Sequence, residues 1–200
     1  MEITYRALRD AEGEDLVDFL VGEVWPFHGV AVVRPEQVRR WIADGVFGGE
    51  RNRTFWVLGG GGGDAGGGGD GQDGVGSGGG AVGLVRLMDL GDGTPMLDLR
   101  VRSAWRGRGI GRQALEWATR YLFEEFPEVR RIEGTTRQDN VAMRRTFLRC
   151  GYVKEAHYRD GWPGEGGAVH DAVGYAVLRR DWEAGSVSLP EWDDGHLLDG

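Results

Sequence analysis

The chain has 200 residues, a formal net charge of -8 and 40% hydrophobic residues, which suits one folded domain with a single substantial core. Cys150 is the only cysteine, so an intrachain disulfide scaffold is excluded. No apolar run approaches the roughly 20 residues that span a bilayer, and the N-terminus lacks a signal-peptide pattern. We therefore expect a cytoplasmic protein that does not act in a membrane.

The first 58 residues predict a strand, two helices and a second strand. Residues 3–8 are typical of a strand, and residues 14–25 of an amphipathic helix. The apolar side of that helix is predicted to carry Leu16, Val17, Leu20, Val21 and Val24. Pro35 suits the first turn of a second helix, whose apolar residues are Val38, Trp41 and Ile42.

A glycine-rich segment follows, in which 15 of the 22 residues from 59 to 80 are glycine. It cannot bury enough apolar surface to offset its backbone entropy, so we expect a disordered insert. Both flanks, residues 54–58 and 81–87, have the composition of strands. Because the cost of closing a loop grows only logarithmically with its length, the flanks can still pair as a hairpin.

The most informative motif is Arg-Gly-Arg-Gly-Ile-Gly at residues 106–111, between a predicted strand (96–101) and a helix that starts near Arg112. Three glycines at alternate positions allow a tight turn whose backbone N–H groups are open at a helix N-terminus, where an anion is favoured. Five arginines and no acidic residue lie between Leu99 and Leu115. The turn is predicted to bind phosphate, although a solvated basic turn without a ligand has the same composition.

Other phosphate-binding motifs are excluded or weak. Lys154 is the only lysine, so the Gly-Lys-Ser/Thr of a nucleoside triphosphatase loop does not occur. A dinucleotide-type glycine pattern at Gly74, Gly76 and Gly79 lies inside the glycine-rich segment and opens no amphipathic helix. Nucleic-acid binding through the arginines is the lowest-ranked alternative because the chain as a whole is acidic.

The second half predicts a regular alternation of strands and helices. A helix after the glycine motif ends before Pro127, and residues 131–135 form a strand. Asp139 or Asn140 caps a helix that stops at Gly151, and residues 152–159 and 172–178 supply the last strands. This order predicts an α/β fold. Residues 183–200 contain five acidic residues and no Lys or Arg, so we expect an acidic, flexible tail.

Three stretches resemble the GNAT superfamily of N-acetyltransferases. Residues 106–111 look like the acetyl-CoA loop of that family, residues 138–152 resemble its Asn-led helix ending in Gly-aromatic, and residues 171–182 are similar to the last strand of the RimJ/RimL-like branch. The resemblance implies a central mixed, mostly antiparallel sheet of about six to seven strands flanked by helices (α+β). The domain would span residues 1–182, with the insert (59–80) inside it and the tail (183–200) after it.

The resemblance also implies acetyl-CoA as co-substrate. Its phosphates would bind the glycine motif, its thioester would lie beside the preceding strand, and the family's Asn would contact the pantetheine arm. The positions of this chain that match are Leu99, Arg100, Val101, Arg106, Gly107, Arg108, Gly109, Ile110, Gly111, Arg112 and Asn140. No metal is expected.

Candidates for the general base are Asp98, on the strand beside the presumed thioester, Glu133, on the next strand, and His28, in the loop after the first helix. His157 and His170 are weaker. Many GNAT enzymes protonate the leaving thiolate with a tyrosine seven residues after the signature Asn, and here that position is Phe147. Tyr152 or Tyr158 are the possible substitutes.

The resemblance implies direct acetyl transfer from acetyl-CoA to a primary amine, either a protein N-terminal α-amine or a small molecule. Cys150 is expected to pack as a small apolar side chain and not to act as a nucleophile. Two alternatives stay open: an aminoglycoside-type antibiotic acetyltransferase, and an acetyl-CoA-binding sensor or scaffold without activity. The expected partners are acetyl-CoA and an amine, with no nucleic acid and no membrane, in a monomer or homodimer.

Overall fold

The computed structural model describes residues 2–60 and 80–192. Its strands are β1 (Glu2–Ala7), β2 (Arg53–Gly60), β3 (Ala81–Met88), β4 (Met96–Val101), β5 (Arg131–Arg137), β6 (Val153–Pro163) and β7 (Val169–Leu178). Its α-helices are α1 (Gly13–Val21), α2 (Pro35–Ala43), α3 (Ile110–Glu125), α4 (Val141–Arg149) and α5 (Arg179–Ala184).

The strands form one sheet in the order β1-β2-β3-β4-β5-β7-β6. Neighbouring strands are antiparallel except β4 and β5, which are parallel. The predicted fold class, a mixed and mostly antiparallel sheet flanked by helices, is confirmed. Within the described residues, no helix has the length and apolar content needed to cross a bilayer.

Helices cover both faces of the sheet, and each face has its own apolar cluster. Alternation along β2 sends Phe55 and Val57 to one face and Trp56 to the other. The first face packs against α3 and α4, and the second against α1 and α2. The sheet is therefore the middle layer of three, and β4 runs through its centre.

The first helix is shorter than the sequence pattern indicates. It ends at Val21, and the backbone N–H of Gly22 closes it on Asp18. Of the predicted apolar stripe, Leu16, Val17 and Leu20 are buried, but Val21 and Val24 are exposed. Phe19 is buried instead because it packs against Trp25 and Trp56. The prediction of a helix reaching Trp25 was wrong, since the chain turns at Gly22 to let Trp25 fold back onto the core.

Several local predictions are confirmed. Pro35 occupies the first turn of α2. Asn140 caps α4, its side-chain oxygen accepting from the backbone N–H of Met143 at 3.2 Å. Strands β2 and β3 pair, for example Phe55 with Val85, on either side of the glycine-rich segment. Residues 61–79 of that predicted disordered insert lie outside the described residues.

The chain after β7 begins with ordered structure. Helix α5 extends to Ala184, beyond the predicted domain end at Trp182. The Asp181 carboxylate accepts hydrogen bonds from the backbone N–H and the hydroxyl of Ser188, at 3.0 and 2.7 Å. The segment predicted as a flexible tail is therefore attached to the domain as far as Ser188. Residues 193–200 lie outside the described residues.

Candidate active site

The glycine motif forms a turn over residues 106–109, which we call the glycine turn, directly before α3. Gly107 and Gly109 have φ angles of 74° and 81°, in the left-handed region that residues with a Cβ rarely adopt. Gly109 is the N-cap of α3, and its carbonyl accepts the first helical hydrogen bond from Gln113. The N–H groups of the first turn of α3 have no partner within the helix, and a helix N-terminus of this kind favours an anion.

The arginine side chains of this region have different surroundings. Arg106 donates from Nε to the carbonyl of Val101 at 2.9 Å, so it ties the turn to the end of β4. Arg112 pairs with Glu116 at 2.8 Å, one helical turn onward. The Arg108 guanidinium lies over the Trp105 ring, 5.0 Å from its centroid. Of these three arginines, Arg108 is the one whose guanidinium has no ion pair or hydrogen bond among the described residues.

Strands β4 and β5 separate just before the glycine turn. Among the described residues their register is a single pair, Met96 with Glu133. The backbone N–H of Glu133 donates to the carbonyl of Pro95 at 2.9 Å, at the start of β4. From there to Val101 the two strands have no further pair among the described residues, which leaves a gap beside the second half of β4.

The hydrogen bonds between β3 and β4 determine which backbone groups of β4 face that gap. The N–H of Arg102 donates to Val82 on the β3 side, at 2.9 Å. Backbone groups alternate between the two sides of a strand, so the N–H of Arg100 also faces β3. The N–H groups of Leu99 and Val101 face the gap. Of the three predicted thioester-site residues, these two present their amides to it.

The gap opens into a cavity of about 290 Å³, which we call the central cavity. It is lined by Phe27, His28, Gly29, Arg86, Met88, Met96, Leu97, Asp98, Leu99, Arg100, Thr135, Thr136, Asn140, Met143, Phe147 and Trp162. Five predicted site residues are therefore brought together here: His28, Asp98, Leu99, Arg100 and Asn140. Glu133 and Tyr152 are not among the residues that line it.

The Asp98 carboxylate contacts His28 and two arginines within the cavity. One carboxylate oxygen lies 3.0 Å from His28 Nε2, and the other lies 3.2 Å from Arg100 Nη2 and 3.7 Å from Arg86 Nη2. Burial by itself raises the pKa of Asp98, but Arg100, His28 and Arg86 outweigh it and hold the pKa well below its usual range. Asp98 is therefore a stable carboxylate and a poor proton acceptor.

His28 approaches Asp98 from the segment between α1 and α2. That segment is anchored by the buried Trp25, whose indole N–H donates to the carbonyl of Leu20 at 2.8 Å. The backbone N–H of His28 in turn donates to the carbonyl of Trp25. With Nε2 donating to the Asp98 carboxylate, the lone pair of a neutral imidazole is on Nδ1. Among the described residues, that buried Nδ1 has no hydrogen-bond partner.

Asn140 and Phe147 form the wall of the cavity on the α4 side. Besides capping α4, the Asn140 side chain donates to the hydroxyl of Thr136 at 2.9 Å. Phe147 is buried and stacks on Tyr175, with ring centroids 4.9 Å apart. A Cβ built on Gly134 would lie 2.4 Å from Phe147 Cζ. The para carbon of Phe147 therefore lies close to the β5 backbone at Gly134, and Phe147 has no hydroxyl to offer the cavity.

Two predicted catalytic residues lie elsewhere. Glu133 is 38% exposed and pairs with Arg131 at 3.0 Å. Tyr152 is buried in the core beside Phe147, and its hydroxyl is 2.8 Å from that of Thr119. Burial raises the pKa of Tyr152 well above its usual range. The geometry therefore argues against Glu133 as the base and Tyr152 as the acid, since neither side chain reaches the cavity that contains Asp98.

The other predicted candidates also lie away from the cavity. Tyr158 is exposed on β6, and His157 binds Asp171 with Nε2 and Oδ2 2.7 Å apart. Cys150 is half-buried, and burial raises the pKa of its thiol to about 11. The environment of Cys150 suits the predicted packing role and not that of a nucleophile.

Arg86 lines the cavity but is not among the residues predicted from the sequence. This residue pairs in register with Asp98 across β3 and β4, so both side chains lie on the same face of the sheet. A signal was present: Arg86 is the only charged residue of the otherwise apolar strand β3. A lone charge in such a strand indicates either an edge or a partner on the facing surface.

Comparison with known proteins identifies the class. A family model described as "Acetyltransferase (GNAT) domain" matches residues 2–153. Spermidine/spermine N-acetyltransferase SpeG from Vibrio cholerae superposes with a TM-score of 0.67 at 16% identity, over 92% of this chain and 97% of that one. A GNAT-family acetyltransferase from Bacillus anthracis superposes with a TM-score of 0.67 at 18% sequence identity, over 90% of this chain and 96% of that chain. Comparison with curated proteins gives no match.

The family model covers well over half of the chain. The chain therefore belongs to the GNAT acetyltransferase family. At these identities the structural likeness shows the fold alone.

Members of the family use acetyl-CoA as co-substrate, and the geometry fits that molecule. Gly107 and Gly109 have left-handed backbone in the turn before α3, and the N–H groups at such a helix N-terminus suit a diphosphate. The adjoining gap between β4 and β5 leads into the central cavity, where an acyl group would lie. The chain is thus an acetyl-CoA-dependent N-acetyltransferase by family.

Proposed function

We propose that this chain transfers the acetyl group of acetyl-CoA directly to a primary amine bound in the central cavity. The observation that carries the proposal is the separation of β4 from β5 next to the glycine turn, with the His28–Asp98 pair at the same opening. A phosphate-binding turn, exposed strand amides and a proton acceptor are the three parts that acyl transfer to an amine needs.

Binding of the co-substrate is assigned to the glycine turn and its surroundings. The amides from Arg108 to Arg112 would hold the diphosphate, with the Arg108 side chain beside it. Asn140 lines the same cavity and would contact the pantetheine arm. Acetyl-CoA supplies an activated thioester, and the N–H groups of Leu99 and Val101 are directed to polarise its carbonyl.

His28 is the proposed general base, with Asp98 as its positioning residue. Asp98 holds the imidazole by Nε2, which directs the proton-accepting lone pair to Nδ1. The demand on this base depends on the amine. An α-amine with a pKa of about 7.7 to 8.0 costs only about 1 kcal/mol to deprotonate at pH 7, whereas a lysine near 10.4 costs roughly 4 to 5. A single histidine is best matched to an α-amine or another amine of low pKa.

The leaving group needs little help. Phe147 provides no hydroxyl, and the geometry gives Tyr152 no access to the cavity. A thiol with a pKa near 8.5 is an adequate leaving group as its thiolate, so the reaction proceeds without a dedicated acid. Transfer in a ternary complex is favoured over an acetyl-cysteine intermediate because Cys150 is not among the lining residues.

The acceptor that we propose is a protein N-terminal α-amine, as the RimJ/RimL-like resemblance suggests, or a small-molecule amine. The structural similarity to SpeG makes a polyamine another candidate acceptor, and an aminoglycoside is a further small-molecule candidate. A second candidate function is an acetyl-CoA sensor without activity, which Phe147 at the position of the family's tyrosine favours.

Two measurements on the intact chain test this function. Calorimetry with acetyl-CoA is expected to show binding, and thiol release with a panel of peptides, amino acids and polyamines is expected to show turnover with at least one amine. Binding without turnover for every amine would favour the sensor. Failure to bind acetyl-CoA would contradict both functions.

A further inference from the structure

The central cavity has an excess of positive charge. Among the described residues that line it, the charged ones are Arg86, Arg100 and Asp98, with His28 beside them. One carboxylate thus faces two guanidinium groups, which are charged at any physiological pH. A net positive charge remains in the cavity even when His28 is neutral.

Asp98 does not use all the donors of these arginines. Its Oδ1 contacts His28, and its Oδ2 is shared by Arg100 and Arg86. Among the described residues, Arg86 Nε and Arg100 Nη1 are buried without a hydrogen-bond partner. Unpaired buried donors of this kind carry a free-energy cost, which a hydrogen-bond acceptor gained on ligand binding would relieve.

Aromatic rings hold both guanidiniums in place. Arg86 lies over Phe47 at 5.6 Å from the ring centroid, and Arg100 lies over Trp25 at 5.3 Å. Burial lowers the pKa of Arg86, since the charged group is desolvated more than its neighbours compensate. The two cations are therefore fixed, partly desolvated and close to one another, as in a site that recognises an anion.

We infer that the acceptor amine carries a carboxylate close to its nitrogen, and that Arg86 and Arg100 bind this carboxylate. The inference rests on the proposed acetyl transfer in the central cavity. It favours a small-molecule acceptor over a protein N-terminus, whose α-carboxyl group is part of an amide. It also disfavours polyamines and aminoglycosides, because their additional ammonium groups would lie against two guanidiniums in a site of low dielectric. A cavity of about 290 Å³ also suits an acceptor of amino-acid size.

The test compares each of the twenty amino acids with its α-amide and with spermidine, measuring thiol release from acetyl-CoA. Values of kcat/KM are corrected to the concentration of neutral amine, because amidation lowers the pKa of the α-amine. We expect the best amino acid to exceed its amide and spermidine by at least tenfold. Preference for the amide or for spermidine would overturn the inference.

Substitutions of Arg86 test whether this residue causes the carboxylate preference. Arg86→Gln should bring the ratio of kcat/KM for the amino acid over its amide close to one, and Arg86→Lys should retain part of the preference. The control is Arg51→Gln, an exposed arginine that pairs with Asp89 outside the cavity and should leave the preference unchanged. A preference that survives Arg86→Gln intact would overturn the assignment.

A binding experiment separates this inference from the proposed function. Calorimetric titration with N-acetylated amino acids and their amides, in the presence of coenzyme A, does not depend on turnover. If no amine is acetylated but the N-acetyl acid binds at least tenfold more tightly than its amide, and Arg86→Gln abolishes the difference, the carboxylate site stands and the catalytic function fails. Equal binding of the N-acetyl acid and its amide, or no binding of either, overturns the site.

Arg86→Gln is checked for folding by circular dichroism. If it is unfolded, Arg86→Lys and the acid-to-amide ratio of the wild type are the deciding measurements.

Discussion

The glycine turn follows β4 and the central cavity is lined by β4, yet the chain builds the two in different ways. The turn consists of consecutive residues and works through its backbone, with glycines whose φ angles other residues tolerate poorly. The cavity gathers side chains from β3, β4, β5, α4, β6 and the segment before α2. Co-substrate binding is thus a local property of the sequence, whereas acceptor chemistry depends on the tertiary fold.

If that division is correct, removing the proposed base should affect catalysis and spare co-substrate binding. We expect His28→Gln to lower kcat/KM by roughly 10² to 10⁴-fold, the usual contribution of general acid–base catalysis. The dissociation constant for acetyl-CoA should change less than twofold. His157→Gln is the matched control because His157 binds Asp171 away from the cavity. Equal losses in both variants would remove His28 from the mechanism.

The stability of the helical layer that contains His28 should depend on the buried carboxylate of Glu12. Glu12 is 2% exposed and accepts hydrogen bonds from Arg6 on β1 and from the backbone and side chain of Arg9, while Trp56 of β2 donates weakly at 3.4 Å. We expect Glu12→Gln to cost about 2 kcal/mol of unfolding free energy, because charge-assisted hydrogen bonds are lost. In thermal unfolding this corresponds to a decrease in Tm of roughly 4 to 8 °C.

The effect of Glu12 should also depend on pH. The hydrogen bond with Arg6 and those with Arg9 hold the pKa of Glu12 well below its usual range, despite the opposing effect of burial. A lowered carboxyl pKa stabilises the fold fully above the unfolded value of about 4.3, and this contribution is lost as the pH falls through the folded value. The stability gap between wild type and Glu12→Gln should therefore narrow in acid. A constant gap down to pH 2 would show that packing, not charge, is responsible.

A substitution in the glycine turn should affect mainly acetyl-CoA binding, whereas His28→Gln should affect mainly catalysis. Gly109→Val places a β-branched residue at a φ of 81°, although a Cβ there would have space, with Gln113 Nε2 at 3.9 Å. We expect the acetyl-CoA dissociation constant to rise at least tenfold, with a stability cost of about 1 to 2 kcal/mol from backbone strain. Gly48→Ala, in an open position without positive φ, is the control. Unchanged affinity by calorimetry would contradict the assignment of the turn.

The smallest effect is expected at Cys150. Its thiol has a pKa raised to about 11 by burial, and it is not a lining residue of the cavity. Cys150→Ser should retain kcat within about twofold, and alkylation of the wild-type thiol at pH 7 should be slow. A loss of more than tenfold in kcat would instead indicate a covalent acetyl-cysteine route.

Local patterns allowed much of the fold to be predicted. The alternation of strands and helices, Pro35 in α2 and Asn140 as the cap of α4 all follow from neighbouring residues. The first helix was predicted too long because periodicity does not register Gly22 or the return of Trp25 to the core. Packing against Phe19 decides that segment, and no local pattern encodes it.

The candidate site was predictable only in part, for the same reason. Asp98 and His28 were singled out separately, and their contact at 3.0 Å depends on how the segment before α2 folds over β4. Tyr152 suited the role of acid by its spacing, but the fold buries it beside Thr119. Arg86 was missed because its partner, Asp98, is on another strand, and a register between strands cannot be derived from one short apolar pattern.

A crystal structure with bound acetyl-CoA would show where the co-substrate lies relative to the glycine turn and β4. We expect the diphosphate on the amides of residues 108–112 and the thioester carbonyl beside the N–H groups of Leu99 and Val101. The acetyl group should lie within the central cavity, on the side of His28. Coenzyme A bound away from the glycine turn, or an acetyl group outside the gap between β4 and β5, would contradict this expectation.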